Sequence, residues 1–226
     1  MSIADNIKRV NERIENACKR CGRDPSEITL IGVTKTHGAD IINEGIYAGL
    51  TDIGENRVQE IIEKYDKIDR SANIHLIGHL QTNKVKYIAD KVAMIHSVDS
   101  LKLAKEISDR AEKCGRIMDI LIQLNISGEE SKSGLEPEML DELLEQVKDL
   151  KGVFVRGLMT IPPIETGDMT LGREIFRKLN KIYIDKRVKI YDNIKMDVLS
   201  MGMSSDYRQA VRYGSNMVRI GTALYL

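Results

Sequence analysis

The 226-residue chain has no net charge, few cysteines and no long apolar run, and each absence argues against a class of function. Lysine plus arginine number 34, as do aspartate plus glutamate, so the overall charge does not indicate nucleic acid or an anionic membrane as a partner. No apolar run reaches the length of a transmembrane helix, and the charged segment 1–13 lacks the apolar core of a signal peptide. We therefore expect a cytoplasmic protein.

The three cysteines give little support for a metal or redox site. Cys18 and Cys21 have CxxC spacing, but no second CxxC accompanies them. Both continue the apolar stripe of a predicted amphipathic helix at the N-terminus, so packing of both thiols explains the spacing. We predict no metal site.

Short apolar segments alternate with helical segments along the rest of the chain. The predicted strands cover residues 28–35, 52–55, 74–77, 94–98, 119–125, 153–160, 196–200 and 218–220. Eight strands separated by helices predict an α/β protein, a single (β/α)8 TIM-type barrel with an extra N-terminal helix, in one domain over residues 1–226. A doubly wound open sheet is the alternative, but no GxGxxG follows the first strand.

Lys35 lies at the end of the first predicted strand, directly after the apolar run Leu30-Ile31-Gly32-Val33. The functional face of such a barrel is at the carboxyl ends of its strands. An amine that is poorly solvated there is partly neutral and therefore nucleophilic. Lys35 is a candidate for Schiff-base formation, and a plain strand cap is the alternative.

The end of the chain carries a candidate phosphate site. Ser204 and Ser205 follow the seventh strand and precede a predicted short helix, and Gly221-Thr222 follow the eighth. The loops after strands seven and eight of such barrels often hold a phosphate. The alternative is that Ser204 is an ordinary helix N-cap and Gly221-Thr222 a turn.

A phosphate site beside a strand-end lysine suggests pyridoxal 5′-phosphate (PLP) held as an aldimine on Lys35. Arg219 would then lie between the lysine and the phosphate site, because strands one and eight are neighbours in a closed barrel. A guanidinium facing the pyridine nitrogen would keep that nitrogen unprotonated and weaken the ring as an electron sink. A cofactor-free Schiff-base aldolase acting on a sugar phosphate is an alternative.

Six stretches together resemble the YggS/PROSC family of pyridoxal phosphate homeostasis proteins. They are 31–35 (IGVTK), 54–60 (GENRVQE), 75–84 (HLIGHLQTNK), 157–160 (GLMT), 200–204 (SMGMS) and 218–222 (VRIGT). The resemblance implies a barrel like the N-terminal domain of bacterial alanine racemase and an aldimine at Lys35. It also implies that Asn56 and His79 lie near the ring of the cofactor and that Arg219 lies near the ring nitrogen. The implied phosphate contacts are Ser204, Ser205, Gly221 and Thr222. Family members often continue past the Gly-Thr motif with a charged tail, whereas this chain stops at Leu226.

The resemblance implies a PLP-binding protein of intracellular vitamin B6 homeostasis, without catalytic residues or substantial turnover. The alternative is a PLP-dependent amino-acid racemase. Racemisation by two-sided proton transfer needs an acid/base group on each face of the ring. Lys35 could serve one face, whereas Tyr47, Tyr207 and Tyr213 are unassigned candidates for the other. B6 vitamers are the expected ligands and PLP-dependent apoenzymes are candidate partners. The recipient of the cofactor cannot be read from the sequence, and a monomer is favoured.

Overall fold

Eight parallel strands close into a barrel in the computed structural model, which describes residues 2–129, 133–163, 170–188 and 192–225. Each strand pairs with the next along the chain, and β1 pairs with β8. The strands are β1 Thr29–Val33, β2 Asp52–Glu55, β3 Asn73–Leu76, β4 Met94–Val98, β5 Met118–Gln123, β6 Val153–Met159, β7 Ile194–Ser200 and β8 Met217–Ile220. The predicted barrel is confirmed, and the pairing of β1 with β8 excludes the open sheet.

Helices follow the strands and cover the outside of the barrel. They are α1 Ile3–Lys19, α2 Ala39–Tyr47, α3 Val58–Lys64, α4 Leu101–Lys113, α5 Leu140–Val147, α6 Thr170–Lys186, α7 Tyr207–Arg212 and α8 Thr222–Tyr225. The predicted extra helix α1 begins with a capping box, in which the side chains of Ser2 and Asp5 each accept the other residue's backbone N–H. Its apolar side packs against α7, α8 and β8.

Apolar side chains form two layers, one between the strands and the helices and one inside the barrel. The larger one fills the space between the strands and most of the outer helices, and it includes the fully buried Phe176 of α6. A smaller cluster is formed by Ile31, Met94, Leu121, Met159 and Met217, from β1, β4, β5, β6 and β8. Alternation of side chains across each strand produces these two layers, since successive residues point to opposite faces.

Several predicted boundaries differ from the structure. β1 ends at Val33, so that Thr34 and Lys35 belong to the following loop, and β5 ends at Gln123. Between β3 and β4 the chain forms a 3-10 helix over Thr82–Tyr87. Among the described helices, none is long and apolar enough to cross a membrane.

The prediction that both CxxC thiols are packed is half wrong. Cys18 is buried in the contact between α1 and α7, whereas Cys21 lies beyond the end of α1 and is exposed. The helix stops at Lys19, so the apolar stripe no longer governs the direction of Cys21.

Candidate functional site

The strands are parallel and form one closed barrel, so their carboxyl ends meet at a single mouth. The eight predicted cofactor contacts lie at this mouth, with Arg219 on β8 and the others beyond the ends of the strands. The exposed ones are Lys35, His79, Ser205 and Thr222, the half-buried ones are Asn56, Ser204 and Gly221, and the buried one is Arg219. The prediction of a poorly solvated Lys35 is wrong for this structure, because the residue is exposed.

The backbone on the carboxyl side of Lys35 is fixed by helix α3. The N–H of Thr36 donates to Glu60 Oε2 at 2.9 Å. Thr36 has φ of 68°, a left-handed conformation that is rare for a β-branched residue. Strain of this kind persists only where surrounding contacts enforce it, and it is concentrated at functional sites. The hydrogen bond from Thr36 to Glu60 is one such contact.

The backbone on the amino side of Lys35 is fixed by a buried polar cluster. Thr34 Oγ1 donates to Glu55 Oε1 at 2.7 Å, and Lys64 Nζ donates to the same oxygen at 2.9 Å. Lys64 also binds Glu60 Oε2 at 2.8 Å and Thr34 O at 3.3 Å. The residues on either side of Lys35 are therefore joined to one lysine of α3, which orients the intervening loop.

The pKa values of the two glutamates in this cluster shift in opposite directions. Burial raises the pKa of Glu55, and hydrogen bonds from Lys64 and Thr34 only partly oppose it. Burial also acts to raise the pKa of Glu60, but hydrogen bonds from Lys64 and the Thr36 N–H outweigh it and leave the pKa lowered. The pKa of Lys64 is raised, because hydrogen bonds to both glutamates outweigh its burial. Lys64 is therefore ion-paired with both Glu60 and Glu55 beside the Lys35 loop.

The two halves of the predicted phosphate site meet in the structure. The N–H of Gly221 donates to Ser204 Oγ at 3.2 Å, which joins the loop after β7 to the loop after β8. A side chain at Gly221 would touch Val33 of β1, with its Cβ 3.3 Å from the Val33 Cβ and carbonyl oxygen. The loops after β7 and β8 therefore lie against the end of the strand that precedes Lys35.

Ser204 does not cap the helix that follows it. Asp206 occupies the N-cap position of α7, and its Oδ1 accepts from the Met203 N–H at 2.5 Å. The alternative interpretation of Ser204 as an ordinary N-cap is therefore wrong. The other half of that alternative, a turn at Gly221-Thr222, is also wrong, since Thr222 begins the short helix α8.

Arg219 is buried inside the barrel near this site, with 3% of its surface exposed. Its Nη1 donates to Ser200 Oγ at 2.5 Å, and its Nη2 donates to Thr160 O at 2.9 Å. Burial lowers the pKa of Arg219 to about 10, partly opposed by the charge of Asp206. The guanidinium is therefore positive at neutral pH. These two hydrogen bonds use two of its five N–H donors, so that others remain for an acceptor at the mouth.

Ser200 is also part of a hydrogen-bonded chain that crosses the barrel. His96 Nδ1 lies 3.2 Å from Ser200 Oγ, and its Nε2 lies 3.0 Å from His75 Nδ1. His75 Nε2 lies 2.9 Å from Asp52 Oδ1. Asp52 is the first residue of β2 and Ser200 the last of β7, so the chain runs from the opposite end of the barrel to Arg219.

The proton positions in this chain follow from its ends. Hydrogen bonds from His75 and Thr51 lower the pKa of Asp52 although burial acts against them, so Asp52 is a carboxylate that only accepts. Burial holds the pKa of His96 well below its usual value, so His96 is neutral. His75 Nε2 donates to Asp52. The arrangement that also gives the Ser200 hydroxyl hydrogen an acceptor has Ser200 donating to His96 and His96 donating to His75, while Ser200 accepts from Arg219.

Asn56 and His79 occupy neighbouring loops. A Cβ at Gly78 would lie 2.3 Å from the carbonyl oxygen of Asn56, so the loops after β2 and β3 approach as closely as a glycine allows. Among the described residues, neither Asn56 nor His79 makes a side-chain hydrogen bond to another member of the predicted set. The structure places both at the mouth without joining them to Lys35 or Arg219.

Sequence reasoning missed the residues that support this mouth. Glu60, Lys64, His75 and His96 were not singled out, although they hold the Lys35 loop and connect to Arg219. A signal was present for the histidines, because each interrupts an apolar strand that is buried along most of its length. A polar residue in such a position usually has a hydrogen-bond partner inside the protein.

Comparisons with known proteins agree with this architecture over the whole chain. The family model described as alanine racemase, N-terminal domain, matches residues 2–226. The pyridoxal phosphate homeostasis protein of Aquifex aeolicus (strain VF5) is 45% identical over 226 residues, which cover 100% of this chain and 98% of that protein. The structure of PipY from Synechococcus elongatus PCC7942 with PLP bound is 31% identical, with a TM-score of 0.87 and coverage of 100% of both chains.

A more distant structure shares the fold alone. Alanine racemase from Clostridium difficile 630, in complex with cycloserine, is 18% identical with a TM-score of 0.73, and the match covers 98% of this chain but 59% of the racemase. The barrel common to all these proteins is the part of the racemase that this chain contains. On the family match and the full-length identity, the chain belongs to the alanine racemase N-terminal domain family and, within it, to the pyridoxal phosphate homeostasis proteins.

Proposed function

We propose that this protein binds PLP at the barrel mouth, holds it as an aldimine on Lys35, and serves in PLP homeostasis without substantial turnover. Residues 1–226 would act as one PLP-binding domain. The observation that carries the proposal is the hydrogen bond between the Gly221 N–H and Ser204 Oγ, 3.2 Å long, which joins two loops of phosphate-binding composition beside the strand that leads to Lys35. PipY, a relative over its full length, is known with PLP bound.

The donors of these two loops fit a phosphate monoester. Ser204, Ser205 and Thr222 offer hydroxyl groups, and Gly221 offers a backbone N–H without a side chain in front of it. The N–H of Gly221 and Ser204 Oγ satisfy each other in this structure, and a phosphate oxygen could accept from both in their place. The buried Arg219 guanidinium is a permanent donor, so its partner on the cofactor would be an unprotonated pyridine nitrogen.

The proposal assigns Asn56 and His79 to the surroundings of the ring. They follow β2 and β3 at the same mouth, and the close approach of Gly78 to Asn56 keeps their loops adjacent. When bound, PLP would supply an electron-withdrawing ring, and the protein would supply the lysine tether and a positive group that limits ring protonation. Such an environment suits storage and transfer of the cofactor better than carbanion chemistry.

The absence of turnover is supported by the positions of the tyrosines that a racemase would need. Tyr47 and Tyr213 lie at the carboxyl ends of α2 and α7, and therefore near the end of the barrel opposite the mouth. The Tyr207 side chain is buried in the contact between α1 and α7. None of these three is placed to move a proton at the mouth.

A fourth tyrosine lies closer but faces away. The Tyr225 ring stacks on His37 at 4.7 Å between ring centroids, two residues from Lys35. Its hydroxyl group is buried and has no hydrogen-bond partner in the described part of the chain, and it lies 3.1 Å from a Cβ built on Gly32. Burial raises the pKa of Tyr225 far above its usual value, and the nearby charge of Glu55 raises it further. A hydroxyl so placed is a poor proton carrier for the mouth.

The test of the proposal is absorption spectroscopy of the purified protein with PLP, before and after borohydride reduction, followed by peptide mapping. We expect a visible band that borohydride abolishes and a reduced adduct on Lys35. Lys35→Ala should lose the band and Lys113→Ala, at an exposed lysine of α4, should keep it. No band in the wild-type protein, or an adduct on another lysine, would contradict the proposal. Chiral chromatography after incubation with L-amino acids tests turnover, and formation of D-amino acids would support the racemase alternative.

A further inference from the structure

A basic cleft lies between α1 and α7, on the outside of the barrel wall. Its cavity of 490 Å³ is lined by Arg13, Arg20, Arg208 and Arg212, together with the amide side chains of Asn16 and Gln209. All four arginines are exposed, and beneath them α1 and α7 are fixed by buried apolar contacts. A cavity of this size is in the range of small-molecule sites, which is about 300–1,000 Å³.

The positive charge of this cleft is uncompensated. Within the described part of the chain, none of the four arginines forms an ion pair or a side-chain hydrogen bond. By contrast, arginines elsewhere are paired with carboxylates, as in Arg110 with Glu106 at 2.7 Å and Arg156 with Asp197 at 2.8 Å. The chain has no net charge, so four unpaired cations in one cleft are a local excess.

The acidic residues of the surrounding elements point elsewhere. Glu12 and Glu15 of α1 line a separate groove with Lys8, on another side of the helix. Asp206 is the carboxylate among the residues that line the cleft, but it is buried and accepts the Met203 N–H. The cleft therefore presents donors and positive charge, and little that would repel an anion.

Spacing indicates the size of the anion. Arg13 of α1 and Arg20, directly after its end, are seven residues apart, which is about 10 Å along a helix. Arg208 and Arg212 are one turn apart on α7. Guanidinium groups bind phosphate oxygens in pairs, and one phosphate cannot contact groups spread over such a distance. We propose that this cleft is a binding site for a small molecule carrying two or more linked phosphate groups, separate from the proposed PLP site.

The cleft is lined in part by Ser205, which the PLP proposal also uses at the phosphate, whereas Ser204 faces Gly221. The test must therefore separate the two sites. Inorganic pyrophosphate is the probe, titrated by calorimetry into the protein with and without saturating PLP at an ionic strength of about 0.1 M, where long-range charge effects are screened. Backbone amide NMR shifts of Ala17 and Gln209 locate the binding.

We expect saturable 1:1 binding that PLP does not compete with, and orthophosphate binding at least tenfold weaker. Arg13→Gln combined with Arg208→Gln should weaken pyrophosphate binding at least tenfold. The matched control is Arg173→Gln with Arg177→Gln, two exposed arginines of α6 one turn apart, and it should leave the affinity unchanged. Equal losses in both double variants, competition by PLP, or preference for a long oligonucleotide over pyrophosphate would each overturn the proposal. If the protein failed to bind PLP, the pyrophosphate affinities could still be interpreted, because the variants change residues of the cleft alone.

Discussion

Arg219 Nη1 lies 2.5 Å from Ser200 Oγ, and this hydrogen bond is the point where a polar chain through the barrel reaches the mouth. Ser200 accepts from Arg219 and donates to His96, so its single hydroxyl serves both neighbours. The direction of donation continues through His75 to Asp52. Ser200 thereby holds the guanidinium of Arg219 in one orientation. Among the described residues, Arg219 and His96 are the side-chain partners of Ser200.

Ser200→Ala should destabilise the protein by about 1–3 kcal/mol. The substitution leaves a buried guanidinium donor and the His96 Nδ1 acceptor without their partner, and the desolvation cost of such groups is of this order. Equilibrium unfolding in urea measures the change. The PLP affinity should fall as well if Arg219 contacts the cofactor, whereas the overall secondary structure should remain.

A buried serine on another strand of the barrel provides the matched control. Ser97 of β4 is 1% exposed, and its hydroxyl group has no hydrogen-bond partner among the described residues. Ser97→Ala should therefore change the free energy of unfolding by less than about 0.5 kcal/mol, or increase it, since no bond is lost. If the free energy of unfolding fell equally in the two variants, the hydrogen bonds of Ser200 would make no measurable contribution to stability.

His96 should make stability dependent on pH just below neutrality. Its pKa in the folded protein is well below the usual 6.5, chiefly through burial. Between those two pKa values the unfolded chain binds a proton that the folded protein excludes. This contribution is complete above about pH 6.5 and is lost as the pH falls, by up to about 1.4 kcal/mol per pH unit.

Urea unfolding at intervals from pH 7.5 to 5 measures this slope. In His96→Gln the part of the slope due to this side chain should disappear, although the variant is less stable at every pH because the hydrogen-bonded chain is altered. A slope identical to that of the wild-type protein would show that His96 is protonated in the folded state, and the assigned direction of hydrogen bonds would then be wrong.

The barrel could be predicted from the sequence because its signal is repeated. Eight short apolar segments alternate with helical ones, and an error in one boundary does not alter the count. The ends of single strands were less certain, since the last paired residue depends on the neighbouring strand. Lys35 illustrates this difference, as backbone pairing ends at Val33 and leaves the lysine in the loop.

The polar interior could not be predicted for a different reason. Contacts such as His75 with His96 depend on which residues of two strands are opposite each other, and here His75 is opposite Met94. A shift of one residue would turn the side chain to the outer face. The joining of Ser204 to Gly221 likewise depends on the pairing of β7 with β8, which the predicted strand order implies but whose register it does not give.

Glu60→Ala should loosen the loop that carries Lys35. The Thr36 N–H loses its acceptor, and Thr36 is then no longer held in its left-handed conformation by α3. Amide hydrogen exchange at Thr36 should become several-fold to about tenfold faster, because this charge-assisted bond is partly exposed and worth about 1 kcal/mol. Glu63→Ala is the control on the same helix, since Glu63 binds only Gln59 there, and exchange at Thr36 should not change. Equal exchange rates in the two variants would show that Glu60 does not restrain the loop.

Arg219→Glu tests whether the guanidinium faces the ring nitrogen of bound PLP. A carboxylate at that position would accept a hydrogen bond and favour a protonated pyridine, whereas the guanidinium favours the unprotonated form. The visible band of the PLP-loaded protein should therefore shift relative to the wild type, and its pH dependence should change. Arg219→Gln serves as the second variant, because a neutral amide is more easily buried beside Thr160 and Ser200 than a carboxylate. Arg173→Glu, exposed on α6, should leave the band unchanged. If the Arg219 variants fold and load PLP with an unchanged band, the guanidinium lies away from the ring nitrogen, and the hydrogen-bonded chain from Asp52 ends at a structural arginine rather than at the cofactor.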